Sequence, residues 1–259
     1  MTDIELYNLL LATVHIISKT DYAKVFVLKG GTVLVSRIID NNRQDLFRRT
    51  SDIDIHCTNY EYWNRFCNEV EMLLNRSNNG YRYKLVKRRN DTKPSVISDS
   101  LRFDVVRLRD NQTAKIKIDM NVKSRDLVEL DFSNSLGMYT FSVQTAVADK
   151  VKVVSSPQIY RRIKDMYDLA VYATLYSMDY YKLMGAIKKK YPDIELSNML
   201  IPQNMNDLQH AYDKFDGIAN KPAFSDLYSI CVRFLYPLYK QPSYNLMWDR
   251  SKTAWERLS

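Results

Sequence analysis

The heptapeptide Ser51-Asp52-Ile53-Asp54-Ile55-His56-Cys57 constrains this chain more than any other stretch. Side chains of an extended strand alternate between faces, so Asp52, Asp54 and His56 share one face and Ile53, Ile55 and Cys57 the other. The apolar face can enter a core. The acidic face cannot be buried bare, because like charges so close repel and burial magnifies the cost. A cation between the carboxylates relieves both penalties, and hard oxygen donors favour a hard divalent ion such as Mg²⁺. From this motif alone, a solvated strand face with idle carboxylates reads as well as a metal site.

The segments around it define an α/β unit. Residues 3–19 read as a helix with a Thr2–Glu5 capping box and an apolar face of Leu6, Leu9, Leu10, Val14 and Ile17. Lys24–Leu28 reads as a short buried strand. Lys29-Gly30-Gly31-Thr32 then opens a helix through Ile39. A strand, a glycine pair and a helix start together suit a phosphate, since the backbone can approach and free N–H groups point outward. A bare Gly-Gly is also simply a turn. After a basic loop carrying Arg43, Arg48 and Arg49 and then the acidic strand, a helix is predicted near 59–76, capped by Thr58 with Glu61. Residues 81–93 alternate basic and aromatic types, which suits a strand facing phosphate or a protected edge strand. Arg102–Arg109 and Lys115–Met120 read as a hairpin that carries Asp119 on the polar face of its second strand, a candidate third ligand.

From about residue 142 the pattern is helical only, with helices predicted near 143–154, from 161 onward, and at 179–190, 207–215, 223–240 and 243–257. These observations predict an α+β protein with a mixed-sheet domain over 1–140 and an all-helical domain over 141–259. Lys and Arg total 38 against 30 Asp and Glu, a net charge of +8, which raises the expectation of a polyanionic partner such as RNA. The three cysteines fit no disulfide set or metal-ligand spacing and predict a reducing, cytoplasmic setting. No stretch is apolar and long enough to suggest a membrane span.

Four stretches together resemble the AbiEii/AbiGii toxin family, which includes the MenT toxins, within the polymerase-beta-like nucleotidyltransferase superfamily. They are Lys29-Gly30-Gly31-Thr32 with Arg49-Thr50-Ser51-Asp52-Ile53-Asp54, then Ile118-Asp119, Ala148-Asp149-Lys150, and Arg162-Ile163-Lys164-Asp165-Met166-Tyr167-Asp168-Leu169. The superfamily's usual Gly-Ser is Gly31-Thr32 here, and the usual Glu before the lysine is Asp149. The resemblance implies Asp52, Asp54 and Asp119 as ligands of one or two Mg²⁺ ions, with Asp119 able to act as base. It implies Lys29, Gly30, Gly31, Thr32, Arg49 and Ser51 around an NTP, Lys150 on a phosphate and Asp165 orienting it. It further implies an RNA acceptor, often the 3′ end of tRNA, a block of translation in a toxin–antitoxin or abortive-infection setting, and a cognate antitoxin. Transfer to a protein hydroxyl would use the same site, and a catalytically silent RNA-binding module would use the same fold.

Overall fold

The computed structural model describes the chain apart from residues 78, 94–95, 123–128, 157–161, 195–199, 201–203 and 259, and apart from the side chains of 90–97 and 122. It forms two compact units, one of residues 1–43, 47–126 and 130–141, the other of 44–46, 127–129 and 142–259.

The first unit is built on a seven-stranded mixed sheet. Its strands are β1 (Phe26–Lys29), β2 (Asp52–Cys57), β3 (Tyr81–Lys93), β4 (Val96–Arg107), β5 (Thr113–Val122), β6 (Leu130–Ser133) and β7 (Met138–Phe141). The spatial order is β3-β4-β5-β2-β1-β7-β6. β2 runs parallel to β5, and β1 parallel to β7, while the other neighbours are antiparallel. Helices α1 (Asp3–Ser18) and α3 (Tyr60–Arg76) share one apolar cluster with the core face of the strands. That cluster takes Ile53 and Ile55 from β2, Leu101 and Phe103 from β4, and Ile118 and Met120 from β5. Each such side chain contributes about 1.5–3 kcal/mol when fully buried, and that burial holds the opposite, polar face of β2 outward.

The local signals behave as physical chemistry requires. Both halves of the Thr2–Glu5 capping box form. Helix α3 is capped by Asn59, whose side chain accepts from the Glu61 N–H, so the expected Thr58 box is corrected by one residue. Helix α2 (Gly30–Asp40) starts directly after β1 with no side-chain cap at Lys29.

The second unit carries α4 (Val143–Val154), α5 (Ile163–Leu175), α6 (Tyr180–Lys190), α7 (Met205–Asp213) and α8 (Phe224–Lys240). Arg161, read as part of the opening of α5, lies outside the described residues. The expectation of an all-helical second domain is corrected. Residues predicted as a helix near 243–257 form a hairpin of β9 (Leu246–Asp249) and β10 (Ala254–Arg257), joined by β8 (Met178–Asp179) into a three-stranded sheet. Tertiary burial decides this. Trp248 is fully buried and donates to the Ala173 carbonyl at 2.6 Å, while Trp255 donates to the Phe234 carbonyl at 2.9 Å. The Asp249 carboxylate accepts from the backbone and hydroxyl of Ser251 and so shapes a turn that has no glycine.

Candidate active site

Asp54 on β2 and Asp119 on β5 are register partners on adjacent parallel strands, and Asp52 stands opposite Lys117 one step earlier along the same face. Neighbouring strands lie about 4.8 Å apart, so two separate segments of chain set their carboxylates side by side. Lys29 is the register partner of Asp54 on the other flank. It places its ammonium 5.8 Å from the Phe141 ring centroid. His56, on the same face further along β2, is buried edge-on against the Phe141 ring.

The glycine pair is fitted to this acid. Gly30 has φ +73°, and a Cβ there would stand 1.9 Å from Asp54 Oδ2. Only glycine accepts both the left-handed backbone and the carboxylate. At Gly31 a Cβ would meet Thr50 Oγ1 at 2.6 Å and Arg48 Nη2 at 3.0 Å. The start of α2 is thereby drawn against the end of the loop that leads into β2. Its first-turn N–H groups take no side-chain cap, the condition that leaves a helix start ready for an anion.

The expected nucleotide-binding residues fall into different surroundings. Thr32 is buried and its hydroxyl donates to the Asp52 carbonyl at 2.7 Å, fixing the start of β2. Its side chain is thus committed to the backbone. Ser51 donates to Asp52 Oδ1 at 3.1 Å. Arg49 is exposed and lies 3.5 Å from the Asp3 carboxylate. With Ser51, Asp104 and Lys115 it lines a cleft of about 730 Å³. Its neighbour Arg48 is the buried one, with Nη1 donating to the Arg49 carbonyl at 3.0 Å.

The acid pair has a cation that spacing alone does not single out. Lys117 Nζ lies 2.5 Å from Asp119 Oδ2, with both side chains partly exposed. Asp54, Asp119, Lys117, Arg89, Arg102, Ser100 and Asn121 line a cleft of about 240 Å³. Among the described residues, no three His, Cys, Asp or Glu side chains form a group able to hold a metal ion on their own. Paired carboxylates still suit Mg²⁺, which is commonly bound through one or two carboxylates and completed by substrate phosphates and water. The arrangement fits a substrate-completed site and not a preformed protein cage.

The second unit holds Lys150, Asp165 and Asp168 in a buried knot. Lys150 Nζ is 2.6 Å from Asp165 Oδ1 and 2.6 Å from Asp168 Oδ2, and Arg162 Nε is 2.8 Å from Asp165 Oδ2. Asp165 is 2% exposed and Asp168 0%. Burial pushes the Asp165 carboxyl up, but Lys150 and Arg162 outweigh it, so Asp165 stays below the ordinary carboxylate value. Tyr167, between them in sequence, donates to the Leu46 carbonyl at 3.0 Å. Asp149 is tied down independently. It pairs with the buried Lys190 and accepts from the Tyr191 hydroxyl at 2.6 Å, and burial together with this carboxylate pushes the Tyr191 phenol up.

Among solved structures, the one described as "Crystal structure of JHP933 from Helicobacter pylori" aligns over 92% of this chain and 94% of its own, with a TM-score of 0.53 and 15% identity. At that identity the likeness is one of fold. The structure described as "Crystal structure of the Megavirus polyadenylate synthase" aligns over 93% of this chain and 45% of its own, at 10% identity and a TM-score of 0.27, too low to carry an argument. No curated protein sequence matches the chain. The family described as "Nucleotidyl transferase AbiEii toxin, Type IV TA system" matches residues 12–229. The chain belongs to this nucleotidyltransferase toxin family. No helix among the described residues is long and apolar enough to cross a membrane.

Proposed function

We propose that this protein transfers a nucleotide from an NTP to an RNA acceptor, in a Mg²⁺-dependent reaction that uses the open face of the first unit. The observation that carries the reading is the side-by-side placement of Asp54 and Asp119 on parallel strands, with the start of α2 fitted against Asp54 through Gly30. Asp52, Asp54 and Asp119 would hold the divalent ion together with phosphate oxygens. When bound, the ion neutralises charge that develops on the transferring phosphoryl group. The N–H groups at Gly30, Gly31 and Thr32 would meet the triphosphate. Lys29, Arg49 and Ser51 would border the nucleotide, and Lys150, oriented by Asp165, would meet a phosphate.

Phosphoryl transfer asks for positioning and charge neutralisation more than for covalent chemistry. An acceptor hydroxyl oxygen would bond to the α-phosphorus as the bond to the β-phosphate breaks. Pyrophosphate would leave, and the hydroxyl proton would pass to Asp119. The acceptor best supported by the family reading is the 3′ end of tRNA, whose modification would halt translation in the cytoplasm. Membership of a toxin–antitoxin family implies a cognate antitoxin.

The test is incubation with each of the four α-labelled NTPs in turn, Mg²⁺, total tRNA and cell extract. Label in RNA supports the proposal. Label in protein, or none with any NTP, contradicts it.

A further inference from the structure

The face that carries Asp54 and Asp119 continues across β5, β4 and β3, and its charge changes sign along the way. Register fixes which residues share it. On β5 Lys115, Lys117 and Asp119 stand opposite Asp104, Arg102 and Ser100 of β4. On β3 Lys84 stands opposite Asp104, and past the irregularity between Leu85 and Lys87 the chain places Lys87 opposite Arg102. The other face of these strands is core, with Tyr83, Leu101, Phe103, Ile116 and Ile118 buried.

Lys84, Lys87, Arg102 and Lys115 are exposed. Among the described residues none of these four has a carboxylate within ion-pair distance, whereas Lys24, Arg107 and Lys252 are each paired with an acid of their own chain. Lys and Arg on an edge strand can be explained as protection of the edge. Arg102 lies on an interior strand, paired with β3 on one side and β5 on the other, where no edge needs protection. The cations begin beside the acid pair, at Lys117 on β5, and extend over two strand spacings to β3, about 10 Å.

We propose that this face is a docking surface for the phosphate backbone of single-stranded RNA, and that it leads the acceptor's end to Asp119. The proposal rests on the nucleotidyl-transfer reading for its destination but not for the binding itself. The triphosphate and the acceptor backbone then take opposite flanks of β2: the start of α2 on the β1 side serves the triphosphate, and the β5–β3 side serves the acceptor, with Arg49 and Ser51 of the nucleotide site beside Lys115 where the two meet. An exposed, unneutralised cation gives sequence-independent affinity through counterion release, so binding should be strongly salt-dependent.

Fluorescence anisotropy with a labelled single-stranded oligoribonucleotide, in an Asp54→Asn background, reads binding without turnover. Lys84→Glu/Lys87→Glu should weaken binding about tenfold or more at low salt and lower the salt slope by about one for each phosphate no longer neutralised. Arg102→Glu should act in the same direction. Lys24→Glu, a single charge reversal like Arg102→Glu but on an exposed turn of the same unit, should leave affinity within about twofold. Unchanged far-ultraviolet ellipticity and melting show that each variant is folded. Wild-type affinity in the double variant, an equal loss in Lys24→Glu, or binding insensitive to salt would overturn the proposal. If the labelling test yields no transfer while this face still governs RNA affinity, the docking surface stands and the reaction falls.

Discussion

Lys117 and Lys150 each set an ammonium against a carboxylate, and the two environments give these pairs opposite characters. Lys117 and Asp119 are 33% and 25% exposed, on an open sheet face. Lys150 is 13% exposed, and its two acids are 2% and 0% exposed. A partly exposed pair is worth little and exchanges partners at low cost. A buried charge that loses its partner is expensive, because nothing replaces the lost solvation. The first arrangement can give way to a cation and a phosphate. The second is a fixed knot on which the second unit depends, whatever further role Lys150 has toward a ligand.

The largest effect that would break this contrast is catalytic. Asp54→Asn should reduce nucleotide transfer on the order of a thousandfold with little change in melting temperature, because Asp54 lies on the open face. A variant that lost stability and kept activity would invert the two regions.

Lys150→Ala comes next. It removes the cation shared by two buried carboxylates, and should cost about 3–5 kcal/mol, a fall in melting temperature on the order of 10 °C by calorimetry. A smaller loss than that of an exposed lysine would show that the knot is not structural.

Asp165 is held below the ordinary carboxylate value of 3.8, so its contribution is fully present above that value and is lost as pH falls through the lower folded-state value. Asp165→Asn should destabilise the protein at neutral pH by about 1–3 kcal/mol. The gap from wild type should close below about pH 4. Urea unfolding midpoints across pH measure this, and a gap that widened in acid would contradict the pairing.

The smallest stability effect belongs to the open pair. Lys117→Met should change unfolding free energy by less than about 1 kcal/mol and leave Mn²⁺ binding equal or tighter, since a competing cation has gone.

The parts of the molecule legible in the sequence are those governed by local periodicity. The alternation over Asp52–Cys57, the Thr2–Glu5 box, the glycine pair before α2 and the apolar faces of Ile116, Ile118 and Met120 are short-range patterns, and each forms. Alternation tells that Asp54 and Asp119 each lie on the polar face of a strand. It does not tell that they are register partners, because register depends on pairing between segments distant in the chain. Lys117 is visible on the polar face of its strand, but its pairing with Asp119 emerges only once both are placed. The face formed by Lys84, Lys87, Arg102 and Lys115 likewise needs the β3–β4–β5 register, including the shift after Leu85.

The 243–257 segment departs from the expected helix for a physical reason. Lys252 and Glu256 form an i,i+4 pair that looks helical, and the turn lacks glycine. Alternation of buried Leu246 and Trp248 with half-buried Met247 and Asp249 is the strand signal that the sequence carries there.

The account turns on whether the open carboxylate pair takes a divalent ion together with a triphosphate. Electron paramagnetic resonance of Mn²⁺, titrated with protein in the presence of a non-hydrolysable NTP, measures this directly. The free-ion signal should fall beyond the loss that the NTP alone causes with wild type but not with Asp54→Asn/Asp119→Asn, while Lys24→Met, which removes an exposed charge outside the site, behaves as wild type. Equal loss of signal with wild type and the doubly neutralised protein would contradict the claim.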